Sequence, residues 1–341
     1  MEKKRVLVSG ISGFLGLHTA VGLLERGYQV LGTVRNLDRV PELKSILESK
    51  GADLGDIDFA GADLLDNEIW FGLARQVDLI LHVASPFPRE MPRDPQELIV
   101  PARDGVLNVM RAAAAAGVRR VVLVSSTGSI GYGKARGQRS GLFNEEDWTD
   151  ETNLEDTTPY FRSKTIAEKA AWDFVDRDGS GLELAVVCPG AVLGPVLEKD
   201  FGTSANMIVK MLDGSTPAVP GLGYDLVDVR SVVDLLIRAM EHPRAAGERF
   251  VATSGYLSFG EMAALLRQQY PERRIPRIPL PDFLVRVAAR FEPALQPLLV
   301  DLGEKRRFDG SKAGELLGWK PIGSEDAVLA CAESLIELEI V

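Results

Sequence analysis

Apolar and polar positions follow a regular alternation along the first half of the chain. Short runs rich in Val, Leu and Ile are followed by longer stretches in which apolar residues recur every three or four positions. The short runs predict strands at Arg5–Ser9, Gln29–Val34, Ile57–Gly61, Asp78–Ala84, Arg120–Ser125 and Leu182–Cys188. The longer stretches predict helices over Phe14–Arg26, Val40–Ser49, Glu68–Arg75, Gln96–Ala116 and Tyr160–Asp176. Val121-Val122-Leu123-Val124 is apolar at every position, as in a parallel strand covered by helices on both faces. Strand and helix in repeated succession predict an α/β fold, a doubly wound parallel sheet. After Pro189 the pattern changes to longer loops, more proline, and helices with no obvious strand between them. That change predicts a smaller C-terminal lobe.

The turn between the first strand and the first helix reads Ser9-Gly10-Ile11-Ser12-Gly13-Phe14-Leu15-Gly16. Gly10 suits a sharp turn, Gly13 a close approach of backbone N–H groups to a pyrophosphate, and Gly16 a helix lying close on its strand. The helix N-terminus adds partial positive charge and free donors. In this position the glycines predict a Rossmann dinucleotide site. The expected domain is residues 1–190, also receiving about 225–255 and 305–320, interleaved with a substrate lobe built from 191–224 and 256–341. At the end of the second strand an acidic residue favours NAD, whereas an arginine accommodates the 2′-phosphate of NADP. Here the strand ends in Arg35-Asn36 with no acidic residue, so NADP(H) is the expected cofactor, the alternative being a merely solvated arginine; Arg39 and Lys44 are candidate helpers that do not follow at once. Asp63 and Leu64, ending the third strand, would frame the adenine.

Charge and composition narrow the partners. The 341 residues carry 39 Lys and Arg against 49 Asp and Glu, a net charge of −10, which works against nucleic acid and anionic membrane surfaces. Cys188 and Cys331 are far apart, and His18, His82 and His242 form no ligand cluster, so no metal is expected. The N-terminal residues lead straight into the first strand with no signal-peptide stretch, and no apolar run approaches a membrane span. A cytoplasmic monomer or homodimer is the expectation. Arg273, Arg274, Arg277, Arg286 and Arg290 make one proline-rich stretch locally basic, read as a solvated surface or as a subsite for an anionic group.

Tyr160 and Lys164 stand four residues apart on a helix that follows Pro159, about 6 Å apart along its axis. A phenol with a pKa near 10 is a poor proton shuttle at neutral pH. An ammonium about 4 Å away at an effective dielectric near 20 supplies about 4 kcal/mol, enough to lower it. Ser125 and Ser126 close a buried strand at the crevice end of the sheet, where Ser126 is placed to hold a carbonyl while Tyr160 donates a proton. Either serine could instead only cap the strand end. Asn108, on the Gln96–Ala116 helix, is read either as an anchor for a water behind Lys164 or as a packing contact.

Taken in order, Gly10-x-x-Gly13-x-x-Gly16, Arg35, Asp63-Leu64, His82-Val83-Ala84-Ser85-Pro86, Ser125-Ser126, Tyr160-x-x-x-Lys164 and Pro189-x-x-x-x-Gly194-Pro195 resemble an extended short-chain dehydrogenase/reductase. Within it the chain is similar to the dihydroflavonol reductase, cinnamoyl-CoA reductase and carbonyl reductase group, with Val227-Asp228-Val229-Arg230, Asp309-Gly310-Ser311-Lys312 and Leu317-Gly318-Trp319 as the last marks. The resemblance implies Ser126, Tyr160 and Lys164 as the catalytic triad. It implies cofactor contacts at Phe14, Leu15, Arg35, Asp63, Leu64, Val83, Ser85, Pro189, Val192 and Ser204. It implies a substrate site over Ser126 among Pro86–Arg89, Thr127–Tyr132, Leu193–Leu197 and Gly221–Val227. One departure is that plant flavonoid reductases carry an asparagine shortly after the serine pair, where this chain reads Ser129-Ile130-Gly131.

The expected activity is NADPH-dependent reduction of an aldehyde or ketone, hydrophobic or aromatic if Phe87, Met91, Phe201, Met207 and Leu222 line the site. Two alternatives stand beside it: an NAD-dependent nucleotide-sugar epimerase or dehydratase, and a non-catalytic NADP-binding sensor.

Overall fold

A computed structural model describes residues 3–86 and 94–341. Its strands, in chain order, are β1 (Arg5–Ser9), β2 (Gln29–Val34), β3 (Ile57–Gly61), β4 (Leu79–His82), β5 (Arg120–Val124), β6 (Gly141–Phe143), β7 (Glu183–Pro189), β8 (Ala191–Leu193), β9 (Val219–Pro220), β10 (Gly223–Asp228), β11 (Arg249–Ala252), β12 (Gly255–Ser258), β13 (Pro279–Leu280) and β14 (Arg306–Phe308). Its α-helices are α1 (Phe14–Glu25), α2 (Val40–Ser49), α3 (Asn67–Ala74), α4 (Gln96–Ala116), α5 (Pro159–Asp178), α6 (Ala205–Leu212), α7 (Val229–Glu241), α8 (Phe259–Gln269), α9 (Asp282–Ala288), α10 (Ser311–Leu317) and α11 (Ser324–Glu337).

Seven strands lie side by side in the order β3-β2-β1-β4-β5-β7-β11, all parallel. The chain runs outward from β1 to β3, returns, and continues from β4 to the other edge. Strand order therefore reverses between β1 and β4, and the ends of these strands open into a crevice. Alternate residues of β1 feed the two faces: Val6 and Val8 join the apolar layer under α1, α2 and α7, while Leu7 joins the layer under α3, α4 and α5. This two-sided covering is why the strands read as continuous apolar runs.

The predicted elements differ from the observed ones mainly at their ends. β4 stops at His82 rather than Ala84, because the Ala84 amide donates to Ser9 Oγ at 2.9 Å instead of to a neighbouring strand. α5 runs on to Asp178 and is closed by Gly179 at φ 66°. The expectation of helices with no obvious strand between them after Pro189 is corrected: β8 to β14 all follow it. Most are only two to four residues long, too short for their periodicity to be legible. One of them, β11, completes the main sheet. β12, β10 and β8 form a separate three-stranded sheet, which closes a third apolar layer with α6, α8 and α11.

Candidate active site

The glycine turn has the form its sequence predicts. Gly10 adopts φ +69°, and a Cβ on Gly16 would stand 2.2 Å from the Gly10 carbonyl oxygen, so only glycine lets α1 lie this close. Thr33 fixes the turn from β2: its Oγ1 accepts from the Gly10 amide at 3.1 Å and its carbonyl from the Ile11 amide at 3.0 Å. α1 begins at Gly13 with no side-chain cap and no acidic residue in its first turn. Its first helical bond runs from Leu17 N to Gly13 O, so the amides of Phe14, Leu15 and Gly16 emerge at the helix end. An uncapped, acid-free helix end on a glycine turn fits a pyrophosphate.

At the end of β2, Arg35 is exposed. Arg39 is engaged elsewhere: its guanidinium bonds Glu42 at 2.8 Å, Glu198, and Asp200 at 3.4 Å. It thus ties the segment after β2 to the 198–200 loop instead of standing free as a phosphate helper. Lys44 lines a surface groove with Leu37 and Phe59. Asp63 Oδ1 accepts from Leu65 N at 2.8 Å, and Leu64 packs its side chain over Gly105. Asn108 Nδ2 donates to Leu64 O at 3.0 Å, a bond that joins α4 to the turn after β3.

Ser126, Tyr160 and Lys164 meet at the crevice end of β5. Ser126 heads the turn Thr127–Ser129, its Oγ accepting from Gly128 N at 3.0 Å. Thr158 caps α5 and Pro159 opens it, which places Tyr160 in the first turn with its hydroxyl hydrogen-bonded to Ser126. One turn on, Lys164 is buried and its Nζ donates to Val124 O at 3.1 Å. The pKa expectation needs correcting. Burial pushes Tyr160 up to about 12, opposed by its bond with Ser126. Burial pulls Lys164 down to about 8. Both groups have lost water, and for each that loss is the largest effect.

The remaining expected contacts lie on several elements. Ser85 shares a cavity of about 10 Å³ with Ser125, Lys164 and Glu168, roughly the room for one water. Val83 packs against the apolar layer under α1, Pro189 ends β7, and Val192 lies in β8. Ser204 precedes α6 without capping it, and Phe14 touches Gly202 close by. Among the expected substrate-facing residues, Leu222 is corrected: it is 2% exposed, in an apolar cluster with Val285 and Leu302. Phe201 and Met207 are partly buried against the layer under α6. Phe87, Arg89 and Met91 lie outside the described residues.

Four polar residues near the site escaped the sequence reading. His18 Nε2 bonds Pro195 O at 2.8 Å, and burial draws its pKa to about 4, so the neutral ring donates. Glu198, the partner of Arg39, is pushed up to about 7 by burial. Glu168 and Arg249 form a buried ion pair at 2.6 Å beneath the serine turn. The usable signal for Glu168 is its spacing, four residues beyond Lys164 on the inner face of α5. Among the described residues, no helix is long and apolar enough to cross a membrane, and no group of His, Cys, Asp or Glu could hold a metal ion.

Comparison with known proteins agrees with this geometry. The chain is 33% identical over 283 residues to dihydroflavonol 4-reductase of Zea mays, covering 81% of this chain and 77% of the maize protein. It is 34% identical over 272 residues to cinnamoyl-CoA reductase 1 of Petunia hybrida, covering 80% of this chain and 79% of the petunia protein. The solved structure of yeast methylglyoxal/isovaleraldehyde reductase Gre2 complexed with NADPH shares the fold, with a TM-score of 0.80 at 24% identity over 98% of this chain and 99% of the yeast chain. The model of the NAD dependent epimerase/dehydratase family matches residues 6–252. With a glycine turn, a reversal of strand order and a serine, tyrosine and lysine gathered at the crevice, the chain belongs to the NAD dependent epimerase/dehydratase family, the extended short-chain dehydrogenase/reductases.

Proposed function

We propose that this protein reduces an aldehyde or ketone, hydrophobic or aromatic in character, to an alcohol at the expense of NADPH. The observation that carries the reading is the hydroxyl pair of Ser126 and Tyr160 at the end of β5, with Lys164 buried one turn behind it. The reductase names of its relatives, and NADPH in the yeast structure, support the same reading.

When bound, NADPH supplies the hydride. The residues of the chain do the rest. The amides of Phe14, Leu15 and Gly16 would hold the pyrophosphate, and Arg35 would take the 2′-phosphate. Asp63, Leu64, Val83, Ser85, Pro189, Val192 and Ser204 would complete the cofactor cleft. Ser126 Oγ hydrogen-bonds the substrate carbonyl and orients it. Tyr160, protonated across the physiological range at a pKa of about 12, gives its proton to the oxygen as negative charge develops there. Lys164, held one turn behind that phenol by Val124 O, would supply positive charge to the site, and an anionic group bound nearby would favour its charged form. In the same proposal residues 1–190, with about 225–255 and 305–320, carry the cofactor. Residues 191–224 and 256–341 carry the substrate, and the protein works in the cytoplasm as a monomer or homodimer.

The test is turnover of NADPH and NADH by wild type and Tyr160→Phe against aromatic aldehydes, diketones and keto esters. Loss of a proton donor is expected to lower kcat by about 10²- to 10⁴-fold with NADPH binding retained. Unchanged turnover, or NAD retained through purification, overturns the reading.

A further inference from the structure

Glu168 is fully buried one turn beyond Lys164, yet it lies behind the proposed reacting groups rather than among them. Its Oε2 accepts from Ser125 Oγ at 2.5 Å and from Ser129 Oγ at 2.6 Å. Its Oε1 accepts from Arg249 Nε at 2.6 Å and from Trp172 Nε1 at 3.4 Å. Ser125 and Ser129 bracket Ser126, and Ser129 Oγ is also 2.8 Å from Ser126 O. One carboxylate therefore grips both ends of the turn that presents Ser126. Arg249 is itself anchored, donating to Glu145 O at 2.7 Å and Asp147 O at 3.0 Å with its guanidinium 3.7 Å over the Trp148 ring.

Charge is the second observation. Lys164 and Glu168 both line one small cavity, together with Ser85, Ser125 and, from α4, the apolar Val106. Burial draws the Lys164 ammonium down, and Cys188 and then Glu168 oppose it; because burial also holds the Cys188 thiol protonated, the charge facing the ammonium is that of Glu168. The other ionisable groups around the pair are His82 from β4, which burial keeps neutral, the Cys188 thiol from β7, which burial holds protonated, Glu145 and Arg249 from the β11 side, and Tyr160 on α5 itself. Glu168 is the carboxylate of the ion pair with Arg249, whereas burial raises the Glu145 carboxyl and its Oε1 accepts from Val251 N at 2.8 Å.

We propose that Glu168, with Arg249 as its counter-ion, is a positioning residue of this site: it sets the turn that carries Ser126 and is the charged neighbour of Lys164 at the small cavity behind that turn. The proposal rests on the functional reading of Ser126, Tyr160 and Lys164 given above. Two readouts separate its geometric and electrostatic parts. The first is the titration of Lys164 Nζ by NMR in lysine-labelled, cofactor-free protein, with the signal identified by its loss in Lys164→Met. The second is kcat for NADPH oxidation with the carbonyl compound that wild type turns over fastest.

Glu168→Gln is expected to lower the Lys164 midpoint by about one pH unit and kcat by about tenfold or more. Ser129→Ala removes one arm of the grip without changing charge, so kcat falls and the midpoint stays. Glu168→Asp keeps the charge on a shorter arm and gives the same split; it carries the test if Glu168→Gln does not fold. An unmoved midpoint in folded Glu168→Gln, or wild-type kcat in both Ser129→Ala and Glu168→Asp, overturns the proposal. If Tyr160→Phe retains full turnover the functional reading fails instead, and the NMR midpoint still judges the coupling of Glu168 to Lys164.

Discussion

Gly16→Ala adds one methyl group, and the structure says what that methyl meets. The new Cβ would lie 2.2 Å from the Gly10 carbonyl oxygen and 2.9 Å from the Ile11 Cα, where ordinary contact begins at 3.4 Å. Both neighbours are backbone, so no side chain can swing away. The start of α1 must lift from the glycine turn by about 1 Å, at an overpacking cost of about 1–3 kcal/mol. Thermal unfolding should then fall by several degrees, at roughly 2–4 °C per kcal/mol. The same displacement moves the amides of Phe14 and Leu15, and a misplacement of about 1 Å in positioned groups costs on the order of 10²-fold. NADPH titration by fluorescence, beside a thermal melt, reads both effects. Gly72→Ala is the control: it lies in α3 with nothing within 4 Å of its added Cβ, and helix propensity predicts no loss, or a gain of up to about 1 kcal/mol. A Gly16→Ala protein that binds NADPH within twofold of wild type would refute the reasoning.

Two further outcomes follow from buried charge. Arg120, 1% exposed, donates to the carbonyls of Ala239, Met240 and His242 at 2.7–3.1 Å and pairs with Glu183; Arg120→Met leaves these without a donor and should cost about 3–5 kcal/mol in urea unfolding, and a loss below about 1 kcal/mol would contradict that account. Lys164 has an ordinary pKa of 10.5 and a folded value of about 8, so between these the unfolded chain binds the extra proton and stability rises with pH through that window. The gap is worth about 3 kcal/mol at about 1.4 kcal/mol per pKa unit, and it should appear as the difference between wild type and Lys164→Met in cofactor-free denaturation from pH 7 to pH 11. Parallel pH curves for the two proteins would exclude it.

The sheet, the glycine turn and the positions of Ser126, Tyr160 and Lys164 were legible in the chain because each depends on local order. Period-two and period-3.6 patterns mark elements that bury one or both faces, a glycine triplet marks a turn no other residue makes, and a spacing of four places two side chains on one helix face. Ends of elements were less so, as at β4, where a side-chain acceptor, Ser9 Oγ, takes the Ala84 amide and halts the ladder. Short strands such as β11 and β14 carry too few residues for a period.

What only the tertiary structure decided is which charges meet. Arg39 sits four residues beyond Arg35 and reads as a second phosphate ligand, yet Glu198 and Asp200, some 160 positions away, claim it. Glu168 reads as one more helix carboxylate until β11 brings Arg249 against it and β5 brings Ser125. Desolvation likewise belongs to the folded state alone: spacing sets a lysine beside a tyrosine, but it is tertiary packing that removes both from water, raising one pKa and lowering the other. Spacing along a chain determines which side chains share a face, whereas Coulomb energy and burial depend on distances in space that long-range packing sets.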